Sequence, residues 1–233
     1  MDVILGIDGL EHDYVTKFGL KNLMQESYGM TDISEFEEPR TIVIWSSFLS
    51  GRNREKEILD LGKERMWGFK LGEDDTFFNG KKYVAFDVPG FNSDLDQHKR
   101  ERQGMKDYFS KKITVEEFDE IVYAHYRKIK QQYLDALDGD YDIVMGYFGA
   151  GDVIGHLSFG IESKMRIIYE EFNDLAKTTA GKAEKMLVIS DHGMQAVGRF
   201  GDHSTHGFWS LNHKAGLDHP KITDFHGIIR GWG

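Results

Sequence analysis

The chain has 233 residues, 40% hydrophobic and 29% charged, with 26 Gly but only 3 Pro, a globular composition that excludes disorder and offers no linker at which to divide it. Its 29 basic and 39 acidic residues give a net charge of −10, a field that disfavours nucleic acid and anionic membrane surfaces as partners. Zero Cys excludes disulfides, thiolate catalysis and Cys-based metal sites, leaving His and carboxylates as the strong ligands.

The opening MDVILGIDGLEHD has an apolar run too short for a signal peptide, and no 18-residue apolar stretch follows, so the expectation is one cytoplasmic domain over 1–233. Residues 3–7 form a β-branched run that stops at Asp8-Gly9, the pattern of a strand buried on both faces. An acidic loop then ends at Pro39 and leads into PRTIVIWSSFLSG, where 42–49 reads as a helix with Gly51 as its stop. Thr41 falls at or near the start of that helix. In isolation it reads as an N-cap, but a helix N-terminus also favours an anion, so a phosphoryl group could be held against its hydroxyl.

A second strand is expected over 83–88, before Pro89-Gly90. The densely charged segment 92–112 has little periodicity and reads as a loop or small cap. Residues 115–137 form a helix behind a Thr114/Glu117 capping box, and His125 on its apolar face reads as a satisfied core histidine. A strand over 143–148 runs into Gly149-Ala150-Gly151, a helix is expected over 162–177, and a strand over 186–190 ends at Asp191-His192-Gly193. Strands alternating with helices predict an α/β fold with a mostly parallel central sheet and helices on both faces, whose ligands bind beyond the carboxyl ends of the strands.

Three of those strand ends carry metal-type residues: Asp8, Asp152 with His156, and Asp191 with His192. Asp152 and His156 are four apart, so on one helix face both can hold one ion. Six of the ten His lie in the last 42 residues, among them His203 and His206, and spacing alone does not choose between these two.

Taken in order, VILGIDGLE, PRTIVIWSSFLSG, YDIVMGYFGAGDVIGH, MLVISDHGM and STHGFWS resemble the alkaline phosphatase superfamily, and within it the nucleotide pyrophosphatase/phosphodiesterase branch. KITDFHGIIRGWG is similar to that family's closing strand and helix. The resemblance implies two divalent metal ions, zinc or manganese, one held by Asp8, Thr41, Asp191 and His192 and the other by Asp152, His156 and His206. His206 is preferred to His203 because His-Gly followed by an aromatic is the matching context. Thr41 would be the metal-activated nucleophile of a phosphodiesterase acting on a small phosphate ester or nucleotide.

The sequence also departs from the pattern, since SGRNREKEILDLG keeps only Gly51 of what usually follows the nucleophile; Asn53 is a candidate oxyanion contact. Diesters are expected over monoesters, with Trp45 as an apolar wall, unless Lys99, Arg100, Arg102 or Lys106 folds over the site to supply a cation. A phosphomonoesterase is the alternative within the superfamily, and a sulfatase is disfavoured because Thr cannot become the aldehyde that such chemistry needs. GAGDVIG also fits a variant dinucleotide fingerprint, so a non-catalytic nucleotide- or dinucleotide-binding protein competes, although Asp152 would set a carboxylate where a pyrophosphate should lie.

Overall fold

The computed structural model describes residues 1–232. Its elements run β1 (Asp2–Ile7), α1 (His12–Lys17), α2 (Lys21–Met24), β2 (Ser27–Asp32), α3 (Thr41–Ser50) and α4 (Glu55–Leu59). There follow β3 (Tyr83–Phe86), α5 (Leu95–Phe109), α6 (Val115–Ala136), β4 (Ile143–Phe148), α7 (Ala150–Ser158) and α8 (Glu162–Ala180). The chain continues with β5 (Met186–Ile189), β6 (Met194–Val197), β7 (Phe200–His203), β8 (His206–Leu211) and α9 (Asp224–Arg230).

Six strands form one sheet in the order β2-β8-β5-β1-β4-β3. The four strands read from the sequence are its parallel part: β1 pairs with β4 and β5, and β3 pairs with β4, all parallel. The other edge is antiparallel, β8 against both β5 and β2. Alternation along the central strands divides the core in two. Val3, Leu5 and Ile7 face α6, α7 and α8, whereas Ile4, Met145, Leu187 and Ile189 face α3 and α9. Helices therefore cover both faces, as the α/β reading requires.

The Thr114/Glu117 capping box opens α6 as read. Segment 92–112, expected as a loop or small cap, is instead largely the 15-residue helix α5, with Asp94 as N-cap bonding the Gln97 amide. Its inner face carries Gln97, Glu101, Gly104, Met105 and Tyr108 at helical spacing, a stripe too polar to register as amphipathic. Gly104 permits the close approach to α6, since a Cβ there would stand 3.1 Å from the Phe118 ring.

Candidate metal centre

The central strands β5, β1 and β4 end side by side, and the residues just after them converge. The loop after β1 is fixed from two sides: the Tyr169 hydroxyl accepts from the Glu11 amide (2.8 Å) and donates to the Gly9 carbonyl (3.1 Å), while Ser190 Oγ accepts from the Leu10 amide (3.0 Å). Gly9 has φ +70°, and a Cβ on it would stand 2.9 Å from Asp152 Cα. Gly9→Ala is therefore expected to cost about 2 kcal/mol or more, from the left-handed backbone and the collision together; chemical denaturation measures it, and an unchanged midpoint would contradict this packing.

Asp152 lies on the first turn of α7, and the i,i+4 spacing brings His156 Nε2 to 3.3 Å from its Oδ1. The third member of this group is His203, with Nε2 3.3 Å from Asp152 Oδ1 and 3.2 Å from His156 Nε2. Strands β6 and β7 form an antiparallel hairpin in which Met194 pairs with His203. That register returns His203 to the Asp191-His192-Gly193 turn, where its ring stacks on His192 at 3.6 Å between centroids. His206, the residue preferred from its sequence context, is not brought to this group. Its Nε2 meets Glu11 Oε1 at 3.1 Å, and Glu11 also accepts from the Met194 and Asp13 amides.

His192 Nε2 lies 3.3 Å from Asp8 Oδ1 and 3.4 Å from Asp191 Oδ2. All three side chains are buried, at 0%, 2% and 0% exposure. Among the described residues Asp8 Oδ1, Asp152 Oδ1, both Asp191 oxygens and His192 Nε2 are buried without a hydrogen-bond partner. Such orphans cost roughly 1–3 kcal/mol each, and more when charged; five of them facing one another ask for a cation.

The imidazoles are set up for one. His156 Nδ1 is 3.2 Å from the Gly201 carbonyl and His192 Nδ1 is 3.0 Å from the Gly193 carbonyl. A carbonyl only accepts, so each Nδ1 carries a hydrogen and each Nε2 is the atom left to face a cation, which at His156 would displace the Nε2 proton that Asp152 otherwise favours. The Asp152, His156 and His203 atoms are 3.2–3.3 Å apart, close to the about 3.3 Å that separates ligands standing about 2.0–2.1 Å from a tetrahedral ion. Residues Asp152, His156 and His203 form one potential ligand group, and Asp8, Asp152 and His192 another.

The electrostatics express the same demand. Burial and the Asp152 carboxylate raise Asp8 to about 7, and burial and Asp8 push Asp191 well above the usual range. Burial opposes ionisation of Asp152 too, yet His156, His203 and His192 hold its carboxyl well below the ordinary value. Asp152 raises His156 to about 9, while burial and His203 lower His192 to about 4.

Thr41 is the first residue of α3, and the N-cap is Arg40, whose side chain makes no capping bond but pairs with Glu38 at 2.7 Å. Thr41, Asp8, Tyr147 and Asp152 line an inner cavity of about 100 Å³. It opens to a cleft of about 490 Å³ whose lining includes Thr41, Asp152, His156 and His203 together with Trp67 and Arg102.

Two expectations about this surrounding, Trp45 and Asn53, need correction, and a third, the choice among four cations, is narrowed. Trp45 is fully buried, packed over Gly6 where any Cβ would stand 2.7 Å from its ring, so Trp67 takes the place at the cleft. Asn53 bonds the Glu35 carbonyl and the Glu55 amide and lines neither space. Of Lys99, Arg100, Arg102 and Lys106, Arg102 is the one lining the cleft.

Two polar partners escaped the sequence reading: Glu11, and Tyr147, whose hydroxyl donates to Asp8 Oδ2 at 2.5 Å. His125 is partnered, its Nε2 2.6 Å from Asp87 Oδ2.

No family model matches the chain, and no curated protein sequence does. Solved structures do. The fold matches murine ectonucleotide pyrophosphatase/phosphodiesterase 5 at a TM-score of 0.50 and 14% identity, covering 85% of this chain and 58% of that one. The chain thus spans less than two thirds of that protein's length. It also matches the alkaline phosphatase of the Antarctic bacterium TAB5 at a TM-score of 0.53 and 12% identity, covering 100% of this chain and 98% of that one. The fold is alkaline phosphatase-like. Among the described residues no helix is long and apolar enough to cross a membrane.

Proposed function

We propose that this alkaline phosphatase-like chain is a two-metal phosphoric ester hydrolase with Thr41 as its nucleophile. The observation that carries the reading is the convergence of buried, unpartnered carboxylate and imidazole atoms at the ends of β5, β1 and β4, beside a helix-start Thr that caps nothing. Asp152, His156 and His203 would hold one divalent ion; Asp8, Asp191, His192 and Thr41 would hold the other. Zinc suits the imidazole-rich group, and manganese is the second candidate. When bound, such ions supply a lowered hydroxyl pKa and charge to clamp the attacking and leaving oxygens.

The chain's own residues do the rest. Thr41 Oγ attacks phosphorus as the ester P–O bond breaks, the departing oxygen keeps that electron pair, and the hydroxyl proton ends on the released alcohol. Water then hydrolyses the phosphothreonine and restores Thr41. Tyr147 holds Asp8 in orientation, and the Gly201 and Gly193 carbonyls hold the imidazoles in the required tautomer.

Within this class a diester preference is supported by Trp67 and Met105 on the cleft wall, which suit an organic substituent. A nitrophenyl nucleotide diester is expected to exceed p-nitrophenyl phosphate in kcat/KM by about tenfold or more, roughly 1.4 kcal/mol. A preference for the monoester would overturn this and point to Arg102. Metal analysis on the same preparation decides the class: two divalent ions per chain with turnover support the hydrolase, and metal-free protein carrying a bound dinucleotide would replace it.

A further inference from the structure

Phosphoryl transfer needs donors aimed at the non-bridging oxygens, and most candidates near Thr41 are occupied. Asn53 is committed to Glu35 and Glu55. Arg40 is paired with Glu38, and the Tyr147 hydroxyl is given to Asp8. Arg54 is tied to Glu57 and Asp75.

Across the cleft, α5 presents His98, which lines both the inner cavity and the open cleft, as do Thr41 and Asp152. Among the described residues neither ring nitrogen has a hydrogen-bond partner, and Nε2 is shielded from solvent. The ring is held on Trp67 at 4.3 Å between centroids and a 36° tilt. Its helix is pinned at the N-terminus, where the Asp94 amide donates to Asp87 Oδ1 at 2.7 Å and Asp87 is itself fixed by His125. A buried polar atom with no partner, on a ring packed against Trp67, is arranged for something that arrives in the cleft.

We propose that His98 is a further catalytic residue: its imidazole N–H donates a hydrogen bond to a non-bridging oxygen of the phosphoryl group being transferred to Thr41. This rests on the esterase reading above. The contact transfers no proton; it stabilises charge on the phosphoryl oxygens while the Thr41 Oγ–P bond forms and the ester P–O bond breaks. Burial and the neighbouring Arg102 lower the proton affinity of His98, and a neutral ring still has the one N–H that the role requires. The donor comes from α5, so this part of the site is separate from the sheet that positions the metal ligands.

The test uses the metal-loaded protein and His98→Phe, which keeps an aromatic ring against Trp67 but has no N–H, alongside His98→Ala. Both variants are expected to lose about 10²-fold in kcat on a nitrophenyl diester, with KM within a fewfold and two ions still bound. Vanadate binding, followed by calorimetry, is expected to weaken about tenfold or more in both. His98→Phe with the wild-type kcat and vanadate affinity would overturn the assignment, and a defect confined to His98→Ala would mean packing and overturn it equally. If the wild-type protein holds metal yet hydrolyses no ester and binds no vanadate, the esterase reading itself falls and takes this assignment with it.

Discussion

Thr41→Ala is expected to lower kcat by at least roughly 10³-fold while Tm stays within about 2 °C of wild type. The two halves of that result separate a nucleophile from a helix cap. A capping Thr replaced by Ala costs about 1 kcal/mol of stability and spares activity. Thr41, however, occupies the first helical position, behind an Arg40 N-cap that makes no side-chain bond. Helix α3 is held by its buried run Ile42 to Leu49, and Ala is a better helix former than Thr. Nothing in the helix therefore depends on the hydroxyl. Thr41→Ser, which retains it, should keep measurable turnover. Substantial activity in Thr41→Ala, with metal bound, would refute the nucleophile.

His203→Ala should reduce the bound metal from two ions to one, whereas His206→Ala should keep both. His203 Nε2 lies within 3.3 Å of Asp152 Oδ1 and His156 Nε2, and loss of one ligand in three leaves too few to hold an ion at micromolar concentration. His206 instead closes a contact with Glu11. Its removal leaves Glu11 with the Met194 and Asp13 amides, so a stability loss of about 1 kcal/mol is expected. Metal analysis after dialysis against dilute zinc reads the difference. The opposite pattern would restore the His-Gly-aromatic context as the correct guide.

That pair of histidines shows where sequence stops informing. The parallel strands were legible because β1, β4 and β5 are two-sided apolar runs ending at Asp or Gly, and Asp8, Asp152, His156, Asp191 and His192 follow directly from those ends. His203 and His206 differ by three residues, and the choice between them depends on the β6–β7 register, which side-chain pattern fixes only once the turn at Gly198 is known. Helix α5 was missed for a different reason: its inward residues Gln97, Glu101 and Gly104 face a polar cleft and a close helix contact, so hydrophobic periodicity fails although the spacing is helical. Trp45 erred the other way. An aromatic beside a candidate nucleophile suggested a wall, but Gly6 opens a space beneath α3 that the indole fills. The edge strand β2 carries little apolar pattern, and its place is set by pairing with β8.

The position of β1 has a bearing on how the molecule is made. It precedes both of its neighbours in the sequence, yet in the finished sheet it lies between β4 and β5, with Val3 beside Val144 and Met186. Ribosomes add about 5–20 residues per second, so roughly 10–35 s separate the appearance of β1 from that of β5. Throughout that interval an apolar strand meant for burial on both faces lacks a neighbour on at least one side, the condition in which nascent chains recruit chaperones or aggregate. Asp8 likewise waits for Asp191 and His192. Any ion shared by these residues enters after translation has passed His192, so metal supply acts once β1, β4 and β5 have all been made and not on the emerging β1 alone.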